Sequence, residues 1–448
     1  MKQVYIETYG CQMNFADSEV IGAILTNNGY SLTDNIDSAD VIFINTCSIR
    51  ENAENRIFNR LREINYYKKK KELVVGIVGC MAERMKEELL EKAPVVDIIA
   101  GPDAYRSLPR LIDEVVNDNQ KAVQTVLSID ETYAEINPVR ISSNGVTAFI
   151  SIMRGCDNFC SYCVVPYTRG RERSRDAGTI LAEAKDLFDR GYRDVTLLGQ
   201  NVNSYKWTDE AGKTVNFSKL MAMVAEISPL LRVRFATSHP KDLSDELIMT
   251  IAKYDNICRF IHLPLQSGST EVLKRMNRKY TREWYIDRIN AIRNNIPGIC
   301  IGTDIIAGFC GETEEDHQET LSLMRIAKYD YAYMFKYSVR PGTLAARKMD
   351  DDVLDEVKGR RLSEIIALQQ ELSLESNRHD IGKTFEVLVE GRSKRSADEL
   401  YGRNSQNKVI VFPGNNIHPG EYVNVMVEEC TAATLLGKII ALESKNSI

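Results

Sequence analysis

Ala148-Phe149-Ile150-Ser151-Ile152-Met153-Arg154-Gly155-Cys156-Asp157-Asn158-Phe159-Cys160-Ser161-Tyr162-Cys163 is an apolar strand run that ends in three cysteines at CxxxCxxC spacing. A loop can bend three sulfurs spaced this way onto one small object; a helix or strand cannot at these intervals. Iron–sulfur clusters are held by thiolates. A four-iron cluster has four corners, so three ligands leave one iron open to a small molecule. A zinc knuckle needs a fourth Cys or His in closed geometry, and none lies close by in sequence. The loop therefore reads as a cluster site, and Cys156, Cys160 and Cys163 as its metal ligands. It follows the C-terminal end of a strand, where β/α barrels place their chemistry.

Outward from this loop, strand and helix alternate. Strand candidates are Ala148–Met153, Asp194–Leu198, Val233–Thr237, Arg259–Leu263, Cys300–Ile306 and Tyr331–Tyr337. Helical patterns such as Thr179–Arg190, Ser244–Tyr254, Arg282–Asn294 and Thr313–Lys328 separate them. This repeat predicts a partial (β/α)6 barrel over residues 142–374. Ahead of it, Val4–Thr8, Val41–Asn45 and Leu73–Val78 alternate with helical Asp17–Asn28 and Ile49–Lys70. That rhythm predicts an α/β domain with a parallel sheet over 1–118, followed by a connecting stretch to about residue 145. After the barrel, Lys383–Glu390, Lys408–Phe412, Tyr422–Val427 and Lys438–Leu442 alternate between Gly, Asn and Pro turns. They predict a small all-β barrel over 376–442. The fold class is α/β with an all-β C-terminal module.

The chain of 448 residues has ten cysteines, five histidines and a net charge of −6. No apolar run approaches the roughly 18 residues of a membrane span, and the first residues read as a strand rather than a signal peptide. A cytoplasmic location is expected, where thiols stay reduced and disulfides are rare. The acidic balance excludes a generally basic nucleic-acid binder. Two local basic clusters, Arg169-Arg171-Arg173-Arg175 and Lys394-Arg395-Arg403, still suit a polyanion bound at one face.

A second set of cysteines is spread along the chain. Cys11, Cys47 and Cys80 each follow one of the three N-terminal strands. Parallel α/β sheets build their sites at that end, so these thiols can meet in space, either as a second cluster or as three small buried residues. The barrel strands end in polar or special residues too: Gln200 and Asn201, Ser238 and His239, Gln266, and Asp304 with Ile306. These positions, with Tyr162 inside the central motif, are candidates for holding a cofactor. Cys258, Cys300, Cys310 and Cys430 show no ligand spacing and read as packing residues, and the histidines as structural or surface residues. Tyr331, Tyr333 and Phe335 alternate with apolar neighbours and read as barrel packing.

The central motif, with Tyr162 as its aromatic, resembles the radical S-adenosylmethionine (SAM) superfamily. Taken with Tyr9-Gly10-Cys11-Gln12-Met13-Asn14, Asn45-Thr46-Cys47-Ser48-Ile49-Arg50-Glu51, Gly79-Cys80-Met81-Ala82-Glu83-Arg84 and Leu198–Tyr205, the whole chain resembles the methylthiotransferases. That resemblance implies two [4Fe-4S] clusters, one on the central cysteines binding SAM and an auxiliary one on Cys11, Cys47 and Cys80. It implies a C-terminal TRAM domain, a tRNA anticodon stem-loop as substrate, a reducing electron donor and a monomer. The residues around Cys47 favour the members acting on isopentenyladenosine at ring carbon 2. Sister substrates are threonylcarbamoyladenosine in tRNA or a ribosomal-protein aspartate. A radical SAM enzyme whose N-terminal cysteines only relay electrons, or a non-catalytic Fe–S RNA-binding protein, are the other readings. The chain departs from the family at Cys310, where proline is usual.

Overall fold

A computed structural model of the chain describes residues 1–47, 51–141, 143–394, 396, 398–414 and 416–441. Six parallel strands form the N-terminal sheet: β1 (Gln3–Tyr9), β2 (Ser31–Leu32), β3 (Val41–Thr46), β4 (Val74–Gly79), β5 (Ile98–Ala100) and β6 (Ala122–Gln124), in the order β2-β1-β3-β4-β5-β6. Every residue of β3 and β4 is buried, as a parallel sheet covered on both faces requires. Helices α1 (Gln12–Asn27) and α5 (Leu108–Asp118) pack Val20, Ile21, Ile24, Leu111 and Ile112 on one face. Helices α2 (Glu51–Lys68), α3 (Cys80–Met85) and α4 (Glu88–Lys92) pack Ile57, Leu61, Met81 and Leu89 on the other. The stretch read as a connection belongs partly to this domain. It supplies β6, and Tyr133 is buried with its ring stacked 5.6 Å from that of Tyr105.

The central domain holds β7 (Thr147–Ser151), β8 (Met153–Arg154), β9 (Arg173–Ser174), β10 (Asp194–Leu198), β11 (Lys206–Thr208), β12 (Thr214–Asn216), β13 (Arg232–Phe235), β14 (Phe260–His262), β15 (Cys300–Ala307) and β16 (Tyr331–Lys336). Two three-stranded parallel sheets, β13-β10-β7 and β14-β15-β16, are joined by a single bridge between Val233 and Ile257. This is the expected six-stranded partial barrel, with an unexpected hairpin of β11 and β12 inserted after the second strand. Its helices are α6 (Val165–Arg169), α7 (Ala177–Asp189), α8 (Phe217–Ala225), α9 (Asp245–Lys253), α10 (Thr270–Arg275), α11 (Arg282–Asn295), α12 (Glu314–Ala327), α13 (Leu344–Lys348) and α14 (Asp355–Arg378). Helix α12 starts with a capping box between Thr313 and Asp316, which satisfies two of its free backbone N–H groups. Along β15 the buried Thr303, Ile305 and Ala307 face the helices, while the half-buried Asp304 and Ile306 face the lumen. Asp304 and Ile306 pair in register with Tyr333 and Phe335, which places those rings on the lumen wall. Tyr331 does pack, stacked on Phe260, but Tyr333 is 55% exposed and is not a packing residue.

The C-terminal barrel closes in the order β17-β18-β19-β21-β20, from β17 (Thr384–Arg392), β18 (Glu399–Arg403), β19 (Val409–Pro413), β20 (Tyr422–Cys430) and β21 (Leu435–Ala441). Closure leaves no edge strand to aggregate. Strand β18 is the one that alternation did not mark. The barrel is seated on the floor of the central domain, at the N-terminal ends of its strands. Arg232, the first residue of β13, donates to the Arg403 carbonyl at 2.6 Å, and Arg234 donates to the Asn404 carbonyl at 3.0 Å. The cysteine loop lies at the opposite end. Among the described residues, no helix is long and apolar enough to cross a membrane.

Candidate functional site

The central loop leaves β8 and returns as β9, a two-residue antiparallel pair that ties its base together. Gly155 makes the first turn with φ +79°, and a Cβ there would sit 1.9 Å from the Arg171 carbonyl oxygen. Only glycine fits such a place. Gly155→Ala is expected to displace the loop and reduce iron bound at Cys156, Cys160 and Cys163 by more than about tenfold, in line with what support residues of metal sites cost. Iron analysis of anaerobically loaded protein checks it.

Cys156 and Cys160 are buried and Cys163 is half-buried. Burial pushes the Cys156 thiol up to about 11, and Cys163 is raised further by burial and then by Cys160 and Cys156 beside it. Cys156 and Cys163, this reluctant to ionise alone, are suited to a metal, which deprotonates its ligands outright. Asn158 Nδ2 lies 3.5 Å from Cys156 Sγ and Arg278 Nη1 lies 3.5 Å from Cys160 Sγ. The Tyr162 ring packs edge-on to Phe309 at 6.4 Å, against the apolar cluster that also holds Tyr337, and so braces the loop on the barrel.

Cys11, Cys47 and Cys80 come together at the C-terminal edge of the N-terminal sheet. Cys11 caps α1, Cys47 follows β3, and Cys80 opens α3. A hydrogen bond with Cys47 brings the Cys11 thiol down to about 6 against the cost of desolvation, with help from the Arg169 guanidinium. Burial raises Cys80, and the same guanidinium opposes it, its Nε 3.2 Å from Cys80 Sγ. Asn14, fully buried, accepts from the Cys11 N–H at 3.2 Å and donates to Asn45 at 3.0 Å and to the Thr46 carbonyl at 3.2 Å. It ties the ends of β1 and β3 together. The trio can thus meet one metal group, as the strand ends required.

The two trios are joined by α6, which begins two residues after Cys163 and ends at Arg169 on Cys80. Arg169 is therefore a correction: it is 3% exposed and buried at the second trio, out of reach of a polyanion at the surface. Asp17 accepts from Arg169 Nη2 at 2.7 Å and from Arg154 Nη1 at 2.9 Å, and Tyr105 Oη donates to it at 3.2 Å. Burial would raise Asp17, but Arg154 and Arg169 outweigh it and hold the carboxyl below its ordinary range. Arg173 pairs with Asp103 at 2.9 Å and Arg175 with Glu183 at 2.5 Å, both buried, so neither meets a phosphate. Arg171 alone of the four is exposed, 3.2 Å from Asp157 and over the Phe159 ring. In the C-terminal barrel Lys394 is exposed, Arg403 is paired with Glu390 at 2.6 Å with its side chain still 37% exposed, and Arg395 lies outside the described residues.

The strand-end residues split into two groups. Gln200 Nε2 and Oε1 and Ser238 Oγ are buried without hydrogen-bond partners, as are both side-chain polar atoms of Asn203. Unsatisfied buried carboxamides are costly, so this cluster fits a polar organic ligand above the strands. Asn201 is a correction in the other direction: it donates to Asp242 at 2.7 Å and accepts from the His239 N–H at 3.1 Å, so its side chain is spent inside the protein. Gln266 has φ +70° and ties β14 to β15 through Asp304 and Ile306 backbone bonds at 2.8 and 2.9 Å. Asp304 meets His262 Nε2 at 3.0 Å. Sequence reasoning missed Asn14, Asp17, Arg154, Asn203 and Arg278; Asn14, Arg154 and Asn203 stood in quoted stretches without being singled out.

His239 is buried, its Nδ1 accepting from the Lys241 N–H at 3.3 Å. Burial first, then Arg278 and Lys241, push it down to about 2 from 6.5. A depressed histidine adds stability above its unfolded pKa and loses it as pH falls. The apoprotein is expected to lose about 2 kcal/mol between pH 6.5 and 5 from this group alone, and His239→Gln to remove that slope, read by urea unfolding at both pH values.

Two cysteine trios, one at the mouth of a partial β/α barrel, joined by a single helical turn, define a radical-SAM-type protein with an auxiliary cysteine domain. Known proteins agree. Uncharacterized protein family UPF0004 matches residues 3–101, the Radical SAM superfamily residues 150–324 and the TRAM domain residues 378–440. The tRNA-2-methylthio-N(6)-dimethylallyladenosine synthase of Amoebophilus asiaticus is 58% identical, covering 98% of this chain and 92% of that protein. Those of Bacteroides fragilis and Chloroherpeton thalassium are 56% and 55% identical over 98% of the chain, with 95% and 96% of those proteins covered. The chain belongs to the tRNA-2-methylthio-N(6)-dimethylallyladenosine synthase family. In fold it is similar to the radical SAM methyltransferase TsrM of Kitasatospora setae, with a TM-score of 0.54, 14% identity and 75% and 73% of the two chains covered. It is also similar to the cobalamin-dependent radical enzyme OxsB, with a TM-score of 0.53, 12% identity and 82% and 56% covered.

Proposed function

We propose that this protein adds a methylthio group to carbon 2 of isopentenyladenosine beside the anticodon of tRNA, with SAM and two [4Fe-4S] clusters. Cys156, Cys160 and Cys163 hold the SAM-binding cluster, and Cys11, Cys47 and Cys80 the auxiliary one. The observation that carries this reading is the joining of both trios by α6 within one chain. When bound, these groups supply carbon-radical chemistry and sulfur for a ring C–H bond that no side chain can deprotonate at neutral pH.

The chain's own residues bind, orient and seal. Asn14 and Arg169 hold the auxiliary cysteines in place. Gln200, Ser238 and Asn203 offer their unpartnered polar atoms to SAM, with Gln266, Asp304 and Ile306 shaping the far wall of the lumen. Tyr333 and Phe335 give the lumen an aromatic surface. A splayed anticodon-loop base is cheap to extrude into such a chamber. Exposed Arg171 lies on the central loop, where it can meet a phosphate. Exposed Lys394 extends the basic surface onto the TRAM barrel. A strong one-electron reductant is the remaining partner, and the enzyme works in the cytoplasm as a monomer.

Nucleoside mass spectrometry tests the whole. Anaerobically loaded enzyme with SAM, a reductant and isopentenyladenosine-bearing tRNA should yield a methylthio mass gain on that nucleoside. Production of 5′-deoxyadenosine with no mass gain would redirect the assignment to the sister substrates.

A further inference from the structure

Arg278 is a buried cation with no carboxylate. It is 7% exposed. Its Nε donates to Tyr280 Oη at 2.9 Å, its Nη2 donates to the Pro264 carbonyl at 2.8 Å, and its Nη1 lies 3.5 Å from Cys160 Sγ. Among the described residues no Asp or Glu comes within ion-pair distance of it. The neighbouring ring of Tyr280, 5.2 Å away, offers only a quadrupole.

Elsewhere the fold pairs its buried arginines. Arg154 and Arg169 share Asp17, Arg173 takes Asp103, Arg234 takes Asp194, Arg140 takes Glu183, and Arg361 takes Glu312. Burying an ion without a partner costs several kcal/mol even after relaxation. An exception to that rule, with a guanidinium nitrogen beside a cysteine sulfur, needs a negative charge that the polypeptide does not supply. Three thiolates gathered on iron are that charge.

We propose that Arg278 is a positioning residue for the central trio: it is the fixed countercharge of the Cys156, Cys160 and Cys163 thiolates in their iron-bound state. The inference rests on the reading that this trio holds an iron–sulfur cluster. Two consequences follow from Coulomb's law. Arg278 destabilises the protein without iron and stabilises it with iron. It also favours the state carrying one more electron, so it raises the tendency of this site to be reduced.

The test compares the parent chain with Arg278→Met and Arg278→Lys, each without iron and anaerobically loaded. Iron-free Arg278→Met is expected to melt at or above the iron-free parent, and loaded Arg278→Met below the loaded parent. A structural clamp would lower both forms alike, and that result overturns the proposal. Reduction is then followed by electron paramagnetic resonance without SAM, in chains whose Cys11, Cys47 and Cys80 are alanine so that one signal remains. At a fixed potential the reduced-to-oxidised ratio should fall about tenfold in Arg278→Met, or about 59 mV for one electron, and recover in Arg278→Lys. An unchanged ratio overturns the proposal, as does a change seen only with SAM present, which would assign the anion to SAM's own carboxylate. If Arg278→Met takes up no iron while Arg278→Lys loads normally, the requirement for the charge is upheld. A parent chain with no iron at the central trio would instead refute the cluster reading itself.

Discussion

Cys80→Ala is expected to abolish methylthio transfer to tRNA while leaving SAM cleavage to 5′-deoxyadenosine in place. Cys80 opens α3 on the N-terminal sheet, and its sulfur is the one that Arg169 Nε touches at 3.2 Å. Its removal takes one of the three thiols proposed to hold the auxiliary cluster and none from Cys156, Cys160 and Cys163. With a cluster on each trio, as proposed, iron should drop by about half. Product formation should fall by more than about 100-fold, beyond what loss of a mere supporting contact produces. Cys160→Ala should do the reverse and stop SAM cleavage outright. The pair of assays separates the trios: a Cys80→Ala protein that still made methylthio product would deny the auxiliary site its role in sulfur supply. A Cys80→Ala protein that lost 5′-deoxyadenosine as well would mean that the two sites do not work independently.

Asp17→Asn should be the most damaging change that touches no cysteine. Asp17 is 1% exposed and joins three parts of the molecule: its own helix α1, Arg154 on β8 and Arg169 at the end of α6. Removing one member of a buried ion pair costs about 3–5 kcal/mol, because the partner's charge stays behind. Here Arg154 would be left with Asp103, 3.6 Å away and already serving Arg173, and Arg169 would lose its paired carboxylate. Urea unfolding of the apoprotein should show that loss. Because Arg169 would also swing free of Cys80, iron at the auxiliary trio should drop more than iron at the central one. Equal stability in Asp17→Asn and the parent would mean that the buried network contributes little, and that packing of Met13 and Ala16 against Phe149 and Leu198 holds the two domains together.

The cysteine motifs could be read from the chain because their spacing is local or periodic. CxxxCxxC is a loop property, and a cysteine just past each of three parallel strands is a property of the βα rhythm. The barrel strands were legible for the same reason: Asp194–Leu198 matches its expected limits, and the others fall within two residues. Short elements without alternation were not legible. β6, the β11–β12 hairpin and β18 are held by neighbours that a local reading does not contain.

The arginines mark the boundary most clearly. In sequence, residues 169, 171, 173 and 175 form one basic cluster, and equal spacing suggests equal roles. In the fold only Arg171 stays outside, while its neighbours turn inward onto Asp17, Asp103 and Glu183. Arg403, though still partly exposed, is likewise paired with a carboxylate, Glu390. Whether a guanidinium serves a phosphate, a carboxylate or a cysteine sulfur depends on burial and on partners far away in the chain. Arg169 and Asp17 are 152 residues apart. The sequence by itself determined the two sets of cysteines at strand ends, the three-part architecture and the family they point to, because residue type and strand periodicity are written residue by residue. The tertiary structure alone decided how the two sets are joined, which cations stand beside them, and which polar side chains remain free for a ligand. Those are differences in electrostatic and hydrogen-bond pairing between distant segments, and no local pattern encodes them.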